Sequence, residues 1–287
     1  MLAIYKREVK AYYLNMPGYI FATFLLLITG IFFSLVNLKQ QYPSFEPILN
    51  LIGFIFLLIV PIVTMRSIAE DRGLKTDQLL YSLPLSGWKI ILGKYFALCT
   101  VFILPVLIIC LYPLIMSMFG TVSLSSAYGA ILGFVFLGCA LMSIGMFISS
   151  LTESQVIAAV ICFAAMLVLF LMNMLSVSVP ATAVASLIAL SALVLLLGVV
   201  VYFMTKDFWI AAMSALLCET VIMFFYIQNK DAFSGLFTRV LQWFSVFDRF
   251  NLFISGIFDI SALIYFLSII CVFNFLTVQS FERRRWS

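Results

Sequence analysis

The sequence predicts an all-α, polytopic membrane bundle, and three observations carry that prediction. Of 287 residues, 65% are hydrophobic and only 10% charged, against roughly 45–50% and about 25% in soluble domains. Charge-free runs recur at the length of about 20 residues that a helix needs to cross the hydrocarbon layer. The basic residues also gather in alternate connecting segments, the pattern of a chain that threads a bilayer with its positive loops inside.

The elements follow in order. Residues 1–16 read as a short helix in the cytoplasmic interface, with Leu2, Tyr5, Val9 and Tyr12 at helical spacing opposite Lys6, Arg7 and Lys10. Asn15, Pro17 and Gly18 then turn the chain into the bilayer. The first span is Gly18–Leu38; it is too long for a signal-peptide core and lacks a small-residue cleavage site, so it is expected to remain as an anchor. The second is Pro47–Met65. No charge lies between Lys94 and Glu153, so this stretch must be two spans, Tyr95–Met118 and Ala127–Ser150, joined at Gly120–Ser126. Residues 154–205 are again uncharged and split at Ser176–Pro180 into a fifth span (Val156–Leu175) and a sixth (Ala181–Thr205). A seventh, Phe208–Gln228, carries Glu219, and the last is Ile260–Ser280. Residues 229–259 mix Arg239, Asp248 and Arg249 with many aromatics, and read as outer interfacial or re-entrant helices. The expectation is therefore about eight spans, or six if the sixth and seventh do not cross. The whole chain, 1–287, reads as one transmembrane domain.

Orientation follows from charge. With the N-terminus inside, twelve of the 16 Lys and Arg fall on the cytoplasmic side, leaving only Lys39, Lys230, Arg239 and Arg249 outside. Both termini are then cytoplasmic. The expected location is a prokaryotic cell membrane, crossed several times.

Several function classes fall away. There is no histidine, which removes His-dependent catalysis, zinc sites and proton relays. The six cysteines lie in apolar stretches without metal-ligand spacing and read as small core residues. The segment Gly87–Tyr95 has the glycines and lysine of a phosphate loop, but five residues separate the glycines and Tyr95 stands where a magnesium-binding hydroxyl belongs. It reads as a short interfacial helix entering the third span. Nothing suggests nucleic-acid binding, a catalytic residue or a metal site.

Other features carry two readings each. Small residues from Gly129 to Ser149 line the fourth span, either for packing within the subunit or as a dimer face. Pro61, Pro105 and Pro113 sit inside spans as kinks or as gating positions. Glu219, the one ionisable residue deep in a span, is either functional or at a cavity rim. Pro61 and Glu219 are thus the candidates for a translocation path.

The cytoplasmic loop 66–94 is the richest segment. Arg66 and Glu70 are spaced to pair on a helix continuing the second span. Thr76 reads as an N-cap with Asp77 in the first turn. Leu79, Leu80 and Leu83 then give a greasy face that Pro84 terminates. Such a face needs a cover, either the bilayer surface or a cytosolic protein.

The run Pro61-x-x-Thr64-Met65-Arg66-x-x-Ala69-Glu70-Asp71-Arg72, then Thr76-x-x-Leu79-Leu80-x-Ser82-x-Pro84-x-Ser86, then Gly93-Lys94, resembles the signature of ABC type-2 permeases, most closely the gliding-motility and nitrous-oxide-regulon branch. The N-terminal Tyr5-Lys6-Arg7-Glu8-x-Lys10-x-Tyr12, the Ser149–Gln155 segment and the ending Gly256-x-x-Asp259 … Arg283-Arg284-Arg285-Trp286 resemble it too. Two departures stand out: Asp71 replaces a second Glu, and Lys75 replaces a Gly before the Thr. The resemblance implies a permease without its own ATPase site. It implies a second permease subunit, identical or not, and cytosolic ATP-binding-cassette subunits that bind ATP and Mg. The coupling residues would be Arg66, Glu70, Asp71, Arg72, Thr76, Leu79, Leu80, Leu83 and Pro84. An exporter of an amphiphilic substrate is the first reading. A proton-coupled secondary transporter using Glu219, or a mechanical or signalling subunit of an ATPase complex, are the alternatives.

Overall fold

The computed structural model describes residues 1–76, 85–178, 182–205, 208–228 and 230–286. Among these the chain is helical throughout, with no strand. Two compact units emerge: Met1–Val168 with Val246–Ser287, and Leu169–Ser245.

In the first unit α1 (Leu2–Leu14) leads into α2 (Pro17–Phe33) through Met16, at φ 67°. Pro17 starts α2 where its missing N–H costs nothing. Gly18 is required at this corner, because a Cβ there would sit 3.0 Å from the Tyr12 carbonyl oxygen. A π-helical turn, Ser34–Lys39, ends the first span. Next come α3 (Glu46–Thr64), the short α4 (Ala69–Gly73), α5 (Gly87–Ile109), α6 (Leu111–Phe119), α7 (Leu124–Ser149) and α8 (Gln155–Ser178). After the second unit, α13 (Val246–Ile254) and α14 (Ile260–Trp286) close the first.

Six helical stretches among the described residues are long and apolar enough to cross a membrane: Pro17–Lys39, Glu46–Gly73, Gly87–Phe119, Leu124–Ser149, Gln155–Met172 and Ile260–Arg284. They match six of the runs marked from sequence. The positions of the sixth and seventh runs are occupied in the second unit by α9 (Ala183–Thr205) and α10 (Phe208–Gln228), which pack along each other. The second unit ends with α11 (Lys230–Phe233) and the amphipathic α12 (Leu236–Phe244). Short helices were expected over 229–259, and α11, α12 and α13 supply them.

Three details differ from the sequence reading. Gly87–Tyr95 is the first part of one continuous helix with the third span, not a separate interfacial piece. That span breaks instead at Cys110. Pro113 has no N–H to give the Ile109 carbonyl, and at the next residue the Cys110 carbonyl accepts from the Tyr128 hydroxyl at 3.2 Å. The break turns Tyr112 against Phe33 and Phe45, with ring centroids 4.7 and 6.2 Å away. Finally, of the Leu2, Tyr5, Val9 and Tyr12 stripe only Tyr12 is buried, and it is Ile4 and Glu8 that join it; Leu2 is 67% exposed.

The core is aromatic and centred on α7. Phe134 stacks on Phe56 at 4.7 Å, and Phe102 lies 5.6 Å from Phe56 and 5.8 Å from Phe134. Phe250 of α13 completes the cluster, 6.1 Å from Phe134. All four are fully buried. The small residues of α7 make this possible. A Cβ at Gly133, Gly138 or Gly145 would lie 2.6, 2.3 or 2.4 Å from Phe253, Phe102 or Thr64 respectively. The small-residue stripe is therefore a packing surface within the subunit.

Candidate coupling junction

The end of the first unit that carries the loop 66–94 holds a buried polar junction, centred on Lys94. Lys94 sits in the third turn of α5 with only 3% of its surface exposed. Its ammonium donates to Glu8 Oε1 of α1 at 3.0 Å, to Asp71 Oδ2 of α4 at 2.6 Å, and to the Ser67 carbonyl oxygen at 2.8 Å. An ammonium has three donors, and here all three are used. Burying a charge is costly unless it is paired and fully hydrogen-bonded. Lys94 meets both conditions only when α1, the Ser67–Asp71 segment and α5 are assembled together.

Around this hub the loop's outgoing strand of chain is pinned from several sides. Arg66 grips Glu70 with two parallel bonds, Nε to Oε2 and Nη2 to Oε1, both 2.7 Å. The pair is part-exposed, so its value lies in stiffening the turn more than in stability. The first N–H groups of α4 lack helical partners, as at any helix start. The Ser149 hydroxyl of α7 accepts from two of this segment's N–H groups, Ile68 at 3.3 Å and Ala69 at 3.0 Å, and donates to the Met65 carbonyl at 3.1 Å. Arg72, 5% exposed, donates from Nη1 to the Ser150 carbonyl, which also accepts from Ser280 Oγ of α14 at 3.0 Å. Arg284 and Glu153 close the rim with an exposed 2.8 Å pair.

Tyr12 anchors α1 from the other side by donating to the Val63 carbonyl at 3.1 Å. Complete burial pushes its phenol pKa up, so it stays a neutral donor. A hollow of about 40 Å³ between Tyr12, Asn15, Arg66 and Glu70 is far too small for a drug-sized ligand. The junction has the chemistry of a mechanical linkage: fixed ion pairs and caps, with no nucleophile beside a base.

Several residues expected at this site are brought together. Arg66, Glu70, Asp71 and Arg72 all take part, although they face different partners. Thr76 turns its hydroxyl back to Asp71, 3.2 Å from the carbonyl oxygen and 3.0 Å from Oδ1. Leu79, Leu80, Leu83 and Pro84 lie outside the described residues. Lys75 adopts φ 57°, a left-handed conformation that favours glycine and disfavours a branched or long side chain. This is the position at which the resemblance leads one to expect a Gly before the Thr, and its backbone is of the kind glycine adopts most readily. Of the translocation-path candidates, Pro61 lies buried inside α3, and Glu219 lies part-exposed in α10 of the second unit.

Sequence reasoning gave Ser67 and Ser280 no part in this site, placed Glu8, Ser149 and Ser150 only within the resemblance, and read Lys94 as marking the loop's entry into the third span rather than as its buried hub. Two signals were present. Lys94 is the last charge before a long uncharged stretch, and Glu8 is the one acid in a basic helix.

No curated protein and no solved structure is significantly similar to the chain. The family model described as ABC-2 family transporter protein matches residues 12–227, about three quarters of the sequence. That match spans the first five of the six membrane-length helices and the whole of the loop 66–94. With the helical bundle and the pinned cytoplasmic-type loop already in place, the chain belongs to the ABC-2 transporter family, as a membrane-embedded permease subunit.

Proposed function

We propose that the chain is the permease of an ATP-driven exporter, coupled to cytosolic ATP-binding-cassette subunits through the loop 66–94. The observation that carries this reading is the three-way grip of Lys94 on Glu8, Asp71 and Ser67. Both ends of the loop are locked to spanning helices, so a push on residues 77–84 cannot be absorbed at its base. ATP and Mg would be bound by the partner. A second permease subunit would complete the assembly, with all of residues 1–287 forming one transport domain of this chain and both termini cytoplasmic. An amphiphilic substrate suits the apolar spans. The gliding-motility-type branch rests on the ordered motifs alone. The family match favours ATP drive over proton coupling through Glu219.

The test is co-purification with the ATPase and transport per ATP hydrolysed. Each of Leu79 and Leu80 would contribute about 1.5–3 kcal/mol on burial in a partner groove, so Leu79→Asp with Leu80→Asp is expected to weaken ATPase association at least about a hundredfold. Arg66→Gln with Glu70→Gln should keep the ATPase bound while lowering transport per ATP. Normal binding and transport in the double-Asp variant would make the loop a membrane-surface anchor instead.

Topology is checked separately. Single cysteines at Tyr42 and Lys75, in a background without the native cysteines, are expected to label from opposite sides, Lys75→Cys from the cytoplasm. Labelling of both from one side would overturn the reading of the second span as a crossing, and with it the coupling argument.

A further inference from the structure

Helix α1 has two working faces, and the coupling junction uses only one. Ile4, Glu8 and Tyr12 point inward; the other side carries Tyr5, Lys6, Val9, Lys10 and Tyr13. Between this outer side and α5 runs a groove of about 460 Å³, lined by Leu2, Tyr5, Phe96, Cys99, Thr100 and Ile103. Its polar atoms satisfy one another. The Tyr5 and Thr100 hydroxyls lie 3.0 Å apart, and Thr100 Oγ1 donates to the Phe96 carbonyl at 2.8 Å. The groove therefore offers hydrocarbon to whatever enters it.

Tyr5 is also a wall of a second hollow, about 350 Å³, with Lys6, Lys10, Tyr13 and Tyr19. Lys6 and Lys10 are four residues apart on one helical face, where like charges repel. Both are exposed, and among the described residues no carboxylate forms a salt bridge with either. An apolar slot thus continues, across one tyrosine ring, into a cationic basin.

We propose that this paired surface binds one anionic phospholipid of the cytoplasmic leaflet, its headgroup phosphate at Lys6 and Lys10 and one acyl chain in the groove against Phe96 and Ile103. The groove wall is part of a helix apolar enough to span the membrane, Gly87–Phe119, so a lipid tail has access where a soluble protein does not. Leu2, Leu14, Tyr19 and Phe96 are exposed around it, at 67%, 69%, 59% and 46%. A basic helix with an apolar flank gains from anionic lipid by charge and from the tail by burial. The inference rests on the cytoplasmic placement of α1 but not on the ATPase.

The full chain is reconstituted, without any ATPase, in phosphatidylcholine vesicles holding a minority of phosphatidylglycerol. Either lipid carries a photoactivatable group near the end of one acyl chain, and crosslinks are mapped by mass spectrometry. Phosphatidylglycerol is expected to label residues 96–103 and the Leu2–Tyr5 end of α1 at least about tenfold more than phosphatidylcholine. Lys6→Gln with Lys10→Gln should abolish that preference and leave the unfolding midpoint unchanged. Excess glycerol phosphate should not compete. Equal labelling by both lipids, labelling indifferent to the two substitutions, or labelling spread evenly over the spans would overturn the proposal. So would full competition by glycerol phosphate, which would mark a pocket for a free anion. Absence of crosslinks at 96–103 would mean the groove is covered by protein. The coupling reading survives all of these outcomes, because the ATPase plays no part in them.

Discussion

Lys94→Met is expected to be the most damaging single substitution at the coupling junction. The wild-type ammonium is 3% exposed and sits between two carboxylates whose side chains are 11% and 22% exposed. Removing it takes away the shared cation between Glu8 and Asp71, leaves Glu8 only its 2.7 Å pair with the exposed Arg7, and leaves the Ser67 carbonyl without its partner. Breaking a buried pair costs about 3–5 kcal/mol when the remaining charge is left uncompensated, and here the Arg7–Glu8 pair offsets part of that loss. The measurement is the thermal unfolding midpoint of the detergent-solubilised protein, with monodispersity as a second readout. Replacing the inner pair together, Glu8→Leu with Lys94→Met, is expected to recover most of the loss, since Asp71 retains a route to solvent. The double variant separates stability from coupling: it should insert and remain folded, yet transmit less from the loop into α1. A Lys94→Met protein as stable as wild type would show that the loop is held by the Ser149 and Arg72 contacts instead.

Gly138→Ala is expected to unsettle the apolar core, while Gly129→Ala in the same helix does the opposite. A methyl on Gly138 would lie 2.3 Å from Phe102 Cζ and 2.4 Å from Cε1. Phe102 has no free direction in which to retreat, because Phe21, Phe56 and Phe134 surround it at 6.4, 5.6 and 5.8 Å. Overpacking of this kind costs about 1–3 kcal/mol. At Gly129 an added methyl meets nothing within 4 Å. There the substitution only restricts the unfolded backbone and improves helix propensity, a gain of about 0.5–1 kcal/mol. Unfolding midpoints of the two variants should move in opposite directions. Adding Phe102→Leu should restore part of the Gly138→Ala loss. If both glycines tolerate alanine equally, α7 is not the close-packed centre of the bundle.

The contrast between these glycines marks the limit of what pattern alone conveys. In the sequence both belong to one stripe of small residues, and small residues permit close approach without naming what approaches. Phe102, Thr64 and Phe253 fill three of the positions, and Gly129 faces open space. The kink in the third span shows the same limit. Pro105 and Pro113 are both visible in the sequence, yet the helix breaks only at Cys110, whose carbonyl the Tyr128 hydroxyl is in reach to bond. Likewise the amphipathic pattern of α1 indicated a helix at the right place, but of its stripe only Tyr12 faces the core. Its two stripes are both partly apolar, and the choice between them was made by a lysine 86 residues away.

What the sequence by itself determined is the helical bundle, the placement of its spans and the position of the one rich loop. The bilayer makes these legible, since a charge-free run of about 20 residues has few alternatives to a spanning helix. The family signature could be read for the same reason, because it is local and ordered along the chain. Only the tertiary structure decided how the loop is held. Glu8, Ser67, Asp71, Lys94, Ser149, Ser150 and Ser280 come from five separate stretches of sequence, and none is unusual where it stands. They become a site because a buried ammonium must find three acceptors at once, and that requirement is met in space, not along the chain.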